Sequence, residues 1–196
     1  MKRCDKRRMF NEEDQHLLIE WLADYDWIEK KEYGQNIEYL ECVSDILKHP
    51  VFQSMNQFIQ HGNTTTMTHC IRVSYLSYQI CKKFGWNYRL AARAGLLHDL
   101  FLYDWHNHAK STGEYFHGLT HPKKALTNAR KYFHLTLMEE DAILRHMWPL
   151  TPIPPKSLEG LALIYADKMC STAETFGSVK NLLAGEYHGV LGRVFK

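Results

Sequence analysis

The run Tyr88-Arg89-Leu90-Ala91-Ala92-Arg93-Ala94-Gly95-Leu96-Leu97 ends in His98-Asp99-Leu100, an ionisable pair closing a stretch of apolar and small residues. Such a stretch is built for burial, and an ionised aspartate in apolar surroundings costs several kcal/mol unless something neutralises it. The fold must therefore bring a capping amide, an ion partner or a metal to Asp99. Successive residues on a helix point about 100° apart, so His98 and Asp99 reach one ion only near the mouth of a helical bundle.

The rest of the chain reads as helices separated by clear punctuation. Asn11 is placed to cap a helix carrying Leu17, Leu18, Trp21 and Leu22, and Asn36 one carrying Ile37, Leu40, Val43 and Leu47. Pro50 suits the first turn of a third, with Val51, Phe52, Met55, Phe58 and Ile59. His16 and His49 read as surface residues of this region. The polar break His61-Gly62-Asn63-Thr64-Thr65-Thr66 opens a helix over about Met67–Phe84, closed by Gly85. His69 lies in its first turn, with Arg72 one turn on. Asn87 caps the helix that leads to His98-Asp99, and Ala91, Ala92, Ala94 and Gly95 allow a neighbour to approach closely.

A loop rich in aromatic residues and histidine follows, with Tyr103, Asp104, Trp105, His106 and His108. His121-Pro122 then starts a helix with Pro122 at its first position. Thr136-x-x-Glu139 is a capping box opening a helix that reaches Ile143, Leu144 and His146. Trp148-Pro149 ends it, and Pro152, Pro154 and Pro155 hold a stiff connection. Ser157 caps the helix running from Leu158 through Asp167-Lys168. No stretch alternates as a strand would, so the predicted class is all-α: a helical bundle over 61–196, with residues 1–60 as an N-terminal helical extension packed on it.

Composition narrows the function. The 196 residues carry 24 basic and 22 acidic side chains, a net charge of +2 with no basic stripe, so nucleic acid is not an expected partner. Five cysteines, odd in number and without C-x-x-C, fit reduced thiols of a cytoplasmic protein. No stretch approaches the ~20 apolar residues of a membrane span, and the N-terminus has no apolar leader. What stands out is 12 histidines.

Asp167 is a second buried-carboxylate problem. Its helical neighbours Leu163, Ile164 and Cys170 put it on or beside an apolar face, where it needs a cation. His69, His98-Asp99 and Asp167 together form a nitrogen and oxygen donor set with no thiolate, suited to a divalent metal.

His69, followed 29 positions later by His98-Asp99 and then by Asp167, resembles the H…HD…D signature of the HD-domain metal-dependent phosphohydrolases. The flanks agree: His69-x-x-Arg72-Val73, Ala94-Gly95-Leu96-Leu97-His98-Asp99 and Tyr165-Ala166-Asp167-Lys168. The likeness covers roughly residues 61–175. It implies an HD-domain bundle in which His69, His98, Asp99 and Asp167 hold a first metal, Asp99 bridges, and His121 and His146 hold a second. Read structurally, His121 is a neighbour of a helix cap and His146 a helix-end histidine. Two divalent ions follow from the resemblance, Fe or Mn foremost, with Co, Ni, Mg and Zn as alternatives. The two-metal branch that includes the YqeK-like dinucleoside tetraphosphate hydrolases is the most similar; the Gly-Tyr-Pro signature of the cyclic-di-GMP branch is missing.

The activity implied is hydrolysis of a phosphoester or phosphoanhydride in a small, nucleotide-like substrate by a metal-activated water. Lys168, Arg72 and Arg145 are the candidate cations for its phosphate oxygens; Asp99, Lys168 and Asp104 are the candidate catalytic groups, Asp104 for the leaving oxygen or the water. Tyr103, Trp105 and Trp148 offer rings for a base or for the core. Two other classes remain open on the same residues: a di-iron oxygenase of the HD fold, and a non-catalytic nucleotide-sensing module.

Overall fold

Local chemistry at the predicted caps accounts for most of the architecture. The computed structural model describes residues 33–61, 64–104 and 117–175. Among them run seven helices: α1 (Tyr33–Leu47), α2 (Pro50–Gln53), α3 (Thr66–Phe84), α4 (Tyr88–Leu97), α5 (His117–Tyr132), α6 (Leu137–Arg145) and α7 (Leu158–Thr175). The Thr65 hydroxyl accepts from the Thr68 amide to start α3, and Gly85, at φ 72°, ends it in the left-handed conformation that glycine adopts without strain. The Asn87 side chain accepts from the Leu90 amide at 3.1 Å, and Ser157 Oγ from the Gly160 amide at 3.1 Å. Thr136 and Glu139 form the complete capping box of α6.

The class is all-α with one small exception. Ser54–Gln57 form a 3-10 turn, and beyond it β1 (Ile59–His61) pairs antiparallel with β2 (Thr64–Thr65). Ile59, expected on a helix, therefore lies in a strand. The Thr66 amide donates to the Phe58 carbonyl at 2.8 Å, so the end of the polar break is bonded back to the chain before β1.

Three further expectations change. α1 begins at Tyr33, so Asn36 lies inside it and is not its cap; of the residues placed on its apolar face Leu40, Val43 and Leu47 are buried, while Ile37 is 46% exposed. α5 begins at His117, which puts Pro122 inside the helix instead of at its first position. A proline there forgoes one intrahelical bond, and a Cβ on Gly118, in the turn before it, would stand 3.1 Å from Leu150 Cδ2. His49 is no mere surface residue: its Nδ1 accepts from the Val51 amide as the cap of α2, with Pro50 in the first turn, and its ring meets Phe133 edge-on at 4.8 Å. The helix predicted over Leu17–Leu22, with His16, Trp105, His106 and His108, lies outside the described residues.

The described residues from Tyr39 to Thr175 belong to one compact unit. Within it α3 is the central element, packed on α4 and α7; α4 also meets α6 and α7, and α5 meets α6. Tyr39 of α1 meets Tyr75 and Tyr78 of α3 edge-on, and Tyr39 Oη lies 2.8 Å from Ser74 Oγ. Ser74 Oγ donates to the Ala92 carbonyl at 2.7 Å, which joins α3 to α4 at their closest approach. A Cβ on Gly95 would stand 2.5 Å from Ser74 Cα, so the small residues of α4 are there to let the two backbones meet. Gly95→Ala is expected to lower stability by about 3 kcal/mol, since a backbone atom cannot swing aside. A shifted urea midpoint with an unchanged slope is the reading that checks it. Among the described residues no helix is long and apolar enough to cross a membrane.

Candidate metal centre

Five helices deliver the six side chains read from the sequence. His69 comes from the first turn of α3, His98 is the C-cap of α4 with Asp99 next to it, His121 comes from α5, His146 is the C-cap of α6 and Asp167 comes from the middle of α7. All six are buried, none more than 5% exposed. Two of the histidines are aimed in the same way. His98 Nδ1 lies 2.8 Å from the Gly95 carbonyl and His146 Nδ1 lies 2.8 Å from the Ile143 carbonyl, each three residues back. A carbonyl accepts only, so each Nδ1 carries the proton and each Nε2 turns a lone pair inward.

Those nitrogens converge on Asp99. Its Oδ2 lies 3.5 Å from His98 Nε2 and 3.9 Å from His69 Nε2; its Oδ1 lies 3.2 Å from His121 Nε2 and 3.5 Å from His146 Nε2. Asp167 Oδ1 completes the first side, 3.3 Å from His69 Nε2 and 3.8 Å from His98 Nε2. Two atoms each about 2.1 Å from one ion stand roughly 3.0–3.5 Å apart; four of these six distances fall in that range, and those of His69 to Asp99 and His98 to Asp167 are wider. His69, His98 and Asp99 form one group able to hold a metal, and Asp99, His121 and His146 form another. The donor chemistry fits. His98 Nε2 is fully buried and makes no hydrogen bond, and the Nε2 atoms of His121 and His146 face each other at 2.8 Å. Buried polar atoms left in that condition call for a cation. Cys70 Sγ sits 3.9 Å from His98 Nδ1, the outward nitrogen, and so takes no place among the inward donors.

Two residues that sequence reasoning missed stand behind the six. Glu174 Oε2 pairs with His69 Nδ1 at 2.8 Å, while its Oε1 accepts from Arg72 Nη1 at 2.9 Å. This is a carboxylate–histidine arrangement of the kind that orients metal ligands. Glu174 lies two helical turns beyond Asp167, and α7 reaches it because the helix continues past Lys168, where the prediction stopped. That i+7 spacing was the available signal. Gln60, on β1, donates from Nε2 to Asp99 Oδ2 at 2.6 Å; nothing in the sequence marked it.

Of the other predicted site residues, Lys168 is nearest the ligands: its Nζ is 2.7 Å from Asp167 Oδ2 and its side chain is half-exposed. Arg72 lies behind His69, bonded to Glu174 and, at 3.4 Å, to Thr64 Oγ1. Arg145 precedes His146 and lies 3.8 Å from Asp141 on its own helix. Asp104 is exposed, beyond the half-buried Tyr103. Neither belongs to the two groups.

Charge follows the same geometry. Burial alone would raise the carboxyls of Asp99 and Asp167, but the surrounding imidazoles hold both well below the usual carboxylate range, aided at Asp167 by Lys168. Burial pushes His146 down to about 3 and lowers His98, so both are neutral and ready to ligate. His69 goes the other way: burial would lower it, yet Glu174 and Asp167 lift it to about 10. Without metal, His69 therefore keeps its proton at neutral pH, and its contribution to stability is present below 6.5 and is lost as pH rises through about 10. Ligation through Nε2 must displace that proton. Loading a divalent ion at pH 7 is expected to release about one proton, and affinity should rise roughly tenfold per pH unit towards that value. Calorimetric Mn²⁺ titrations in buffers of different ionisation enthalpy read the proton count directly.

The family model for the HD domain matches residues 66–171, just over half of the chain and a span that includes all six ligand candidates. No curated protein and no solved structure matches the chain significantly.

Proposed function

The chain belongs to the HD-domain family, and on that premise we propose that it is a two-metal phosphohydrolase acting on a phosphoester or phosphoanhydride of a nucleotide-like substrate. HD-domain proteins are for the most part metal-dependent hydrolases. The observation that carries the reading is Asp99, whose two oxygens face two separate pairs of imidazoles, His69 with His98 and His121 with His146. Asp99 would be shared by both sites, Asp167 would complete the first, and the all-nitrogen-and-oxygen donor set favours Fe or Mn. Bound divalent ions supply Lewis acidity, polarising a phosphoryl oxygen and acidifying water.

The chain's own residues do the rest. His98 and His146 are locked as Nδ1–H tautomers, so no rearrangement is needed before they bind. Lys168, half-exposed beside Asp167, supplies a mobile cation for a phosphate oxygen. Arg145, next to His146, is the second cation, and Asp104 is assigned to the leaving oxygen. Burial of the six ligands keeps bulk water from screening the charge of the centre itself. Within the class, dinucleoside polyphosphates are the first candidates, in a reducing, cytoplasmic setting consistent with the four free, buried cysteines among the described residues.

The test is phosphate release by Mn²⁺- or Fe²⁺-reconstituted protein from nucleotides, dinucleoside polyphosphates and cyclic dinucleotides. Turnover without O₂ that stops with a chelator is the expected result. Iron-only activity that consumes O₂ would replace the hydrolase with an oxygenase, and loaded protein inert to all of them would overturn the reading.

A further inference from the structure

A carboxylate that serves two sites must keep one oxygen on each side, and rotation about its Cβ–Cγ bond would spoil both. Asp99 follows a helix terminus, so the helix alone does not set that angle. Gln60 reaches it from the hairpin. It is 6% exposed, its Nε2 donates to Asp99 Oδ2 at 2.6 Å and its Oε1 accepts from Thr66 Oγ1 at 3.2 Å. Both ends of the amide are thus assigned; the reversed amide would set an oxygen against the carboxylate. Thr66 opens α3 three residues before His69, and its amide bonds to Phe58, so β1 is pinned to the turn that carries the first ligand.

We propose that Gln60 is a positioning residue of the metal centre, fixing the rotation of Asp99 so that Oδ2 serves His69 and His98 while Oδ1 serves His121 and His146. The residue type suits the task. A neutral amide donor orients the carboxylate without cancelling its charge, whereas a lysine or arginine there would compete with the metal for it. The second site depends on this most. Its only carboxylate among these ligands is Asp99, while the first site also has Asp167. Losing the lock should therefore weaken the second ion before the first.

This rests on the metal-centre reading, and the experiment separates the two. Co²⁺ is titrated into the full chain and followed by its visible absorption, for wild type, Gln60→Met (similar reach, no donor) and Gln60→Glu (an acceptor facing Oδ2). Wild type should take up two ions. Gln60→Met should keep the first, bind the second 10–100-fold more weakly and show an altered spectrum, with an unchanged circular dichroism trace as the control for folding. If Gln60→Met does not fold, Gln60→Glu must show the same selective loss. Two ions bound with wild-type affinity and spectrum by whichever variant folds would overturn the role of Gln60 alone. Wild type that binds no Co²⁺ would overturn the metal centre itself.

Discussion

Asp99→Ala should strip both ions from the protein and bring phosphate release to background, the largest functional loss of any single substitution. Each group of candidate ligands has Asp99 in common. Removing it takes from the second group its only carboxylate and from the first one of two. A residue that merely orients a ligand is worth about 10–100-fold in metal affinity, so a shared ligand must exceed that at both sites. The Nε2 atoms of His121 and His146, 2.8 Å apart, would then face each other with nothing anionic between them. Lys168→Ala is the matching control. Its ammonium touches Asp167 from a half-exposed position, so metal content should hold while KM rises. Elemental analysis beside a phosphate-release assay separates the two, and Asp99→Ala protein with full metal and turnover would refute the assignment.

Arg93→Leu should lower stability at least as much as Gly95→Ala. The guanidinium is 7% exposed and ties three helices together: Nε donates to Glu139 Oε1 at 3.1 Å on α6, and Nη1 to Asp45 Oδ1 at 2.6 Å and the Cys42 carbonyl at 3.2 Å on α1. Asp45 is largely exposed and can turn to water, but Glu139 is 4% exposed and cannot. Leaving a buried carboxylate uncompensated costs about 3–5 kcal/mol. The loss should sit at the lower end, because Glu139 Oε2 keeps its bonds to the Thr136 amide and hydroxyl. Adding Glu139→Gln removes the stranded charge while a Gln oxygen can still serve the capping box. Denaturant titrations should therefore show the double variant regaining more than half of the loss, the coupling expected of contacting residues. Additive losses would mean that the pair does not act as a unit.

How far the sequence can be read follows from the range of each interaction. Thr65, Asn87, Thr136 with Glu139, Ser157 and Gly85 act within three or four residues, and the helix ends they mark are where expected. His98-Asp99 and Asp167 were legible for another reason: a carboxylate in an apolar setting advertises a missing cation whatever the fold. Gln60 and Glu174 were not, because their partners lie 39 and 105 residues away and only tertiary packing brings them together. Pro122 shows a local rule that does not hold here. Proline favours the first turn, yet α5 begins upstream of it, at His117. Residues 54–61 show it again: the helical spacing of Met55, Phe58 and Ile59 ends in a 3-10 turn at Ser54–Gln57, and from Ile59 the chain pairs as a strand.

The claim on which everything else depends is that Asp99 stands between two cations. Crystals of the wild-type chain grown with Mn²⁺ near pH 8 and measured at a wavelength where manganese scatters anomalously should show two peaks. One should lie among His69, His98, Asp99 and Asp167 and the other among Asp99, His121 and His146, each about 2.0–2.3 Å from its ligand atoms. A map with manganese only on surface carboxylates, and none beside Asp99, would contradict it.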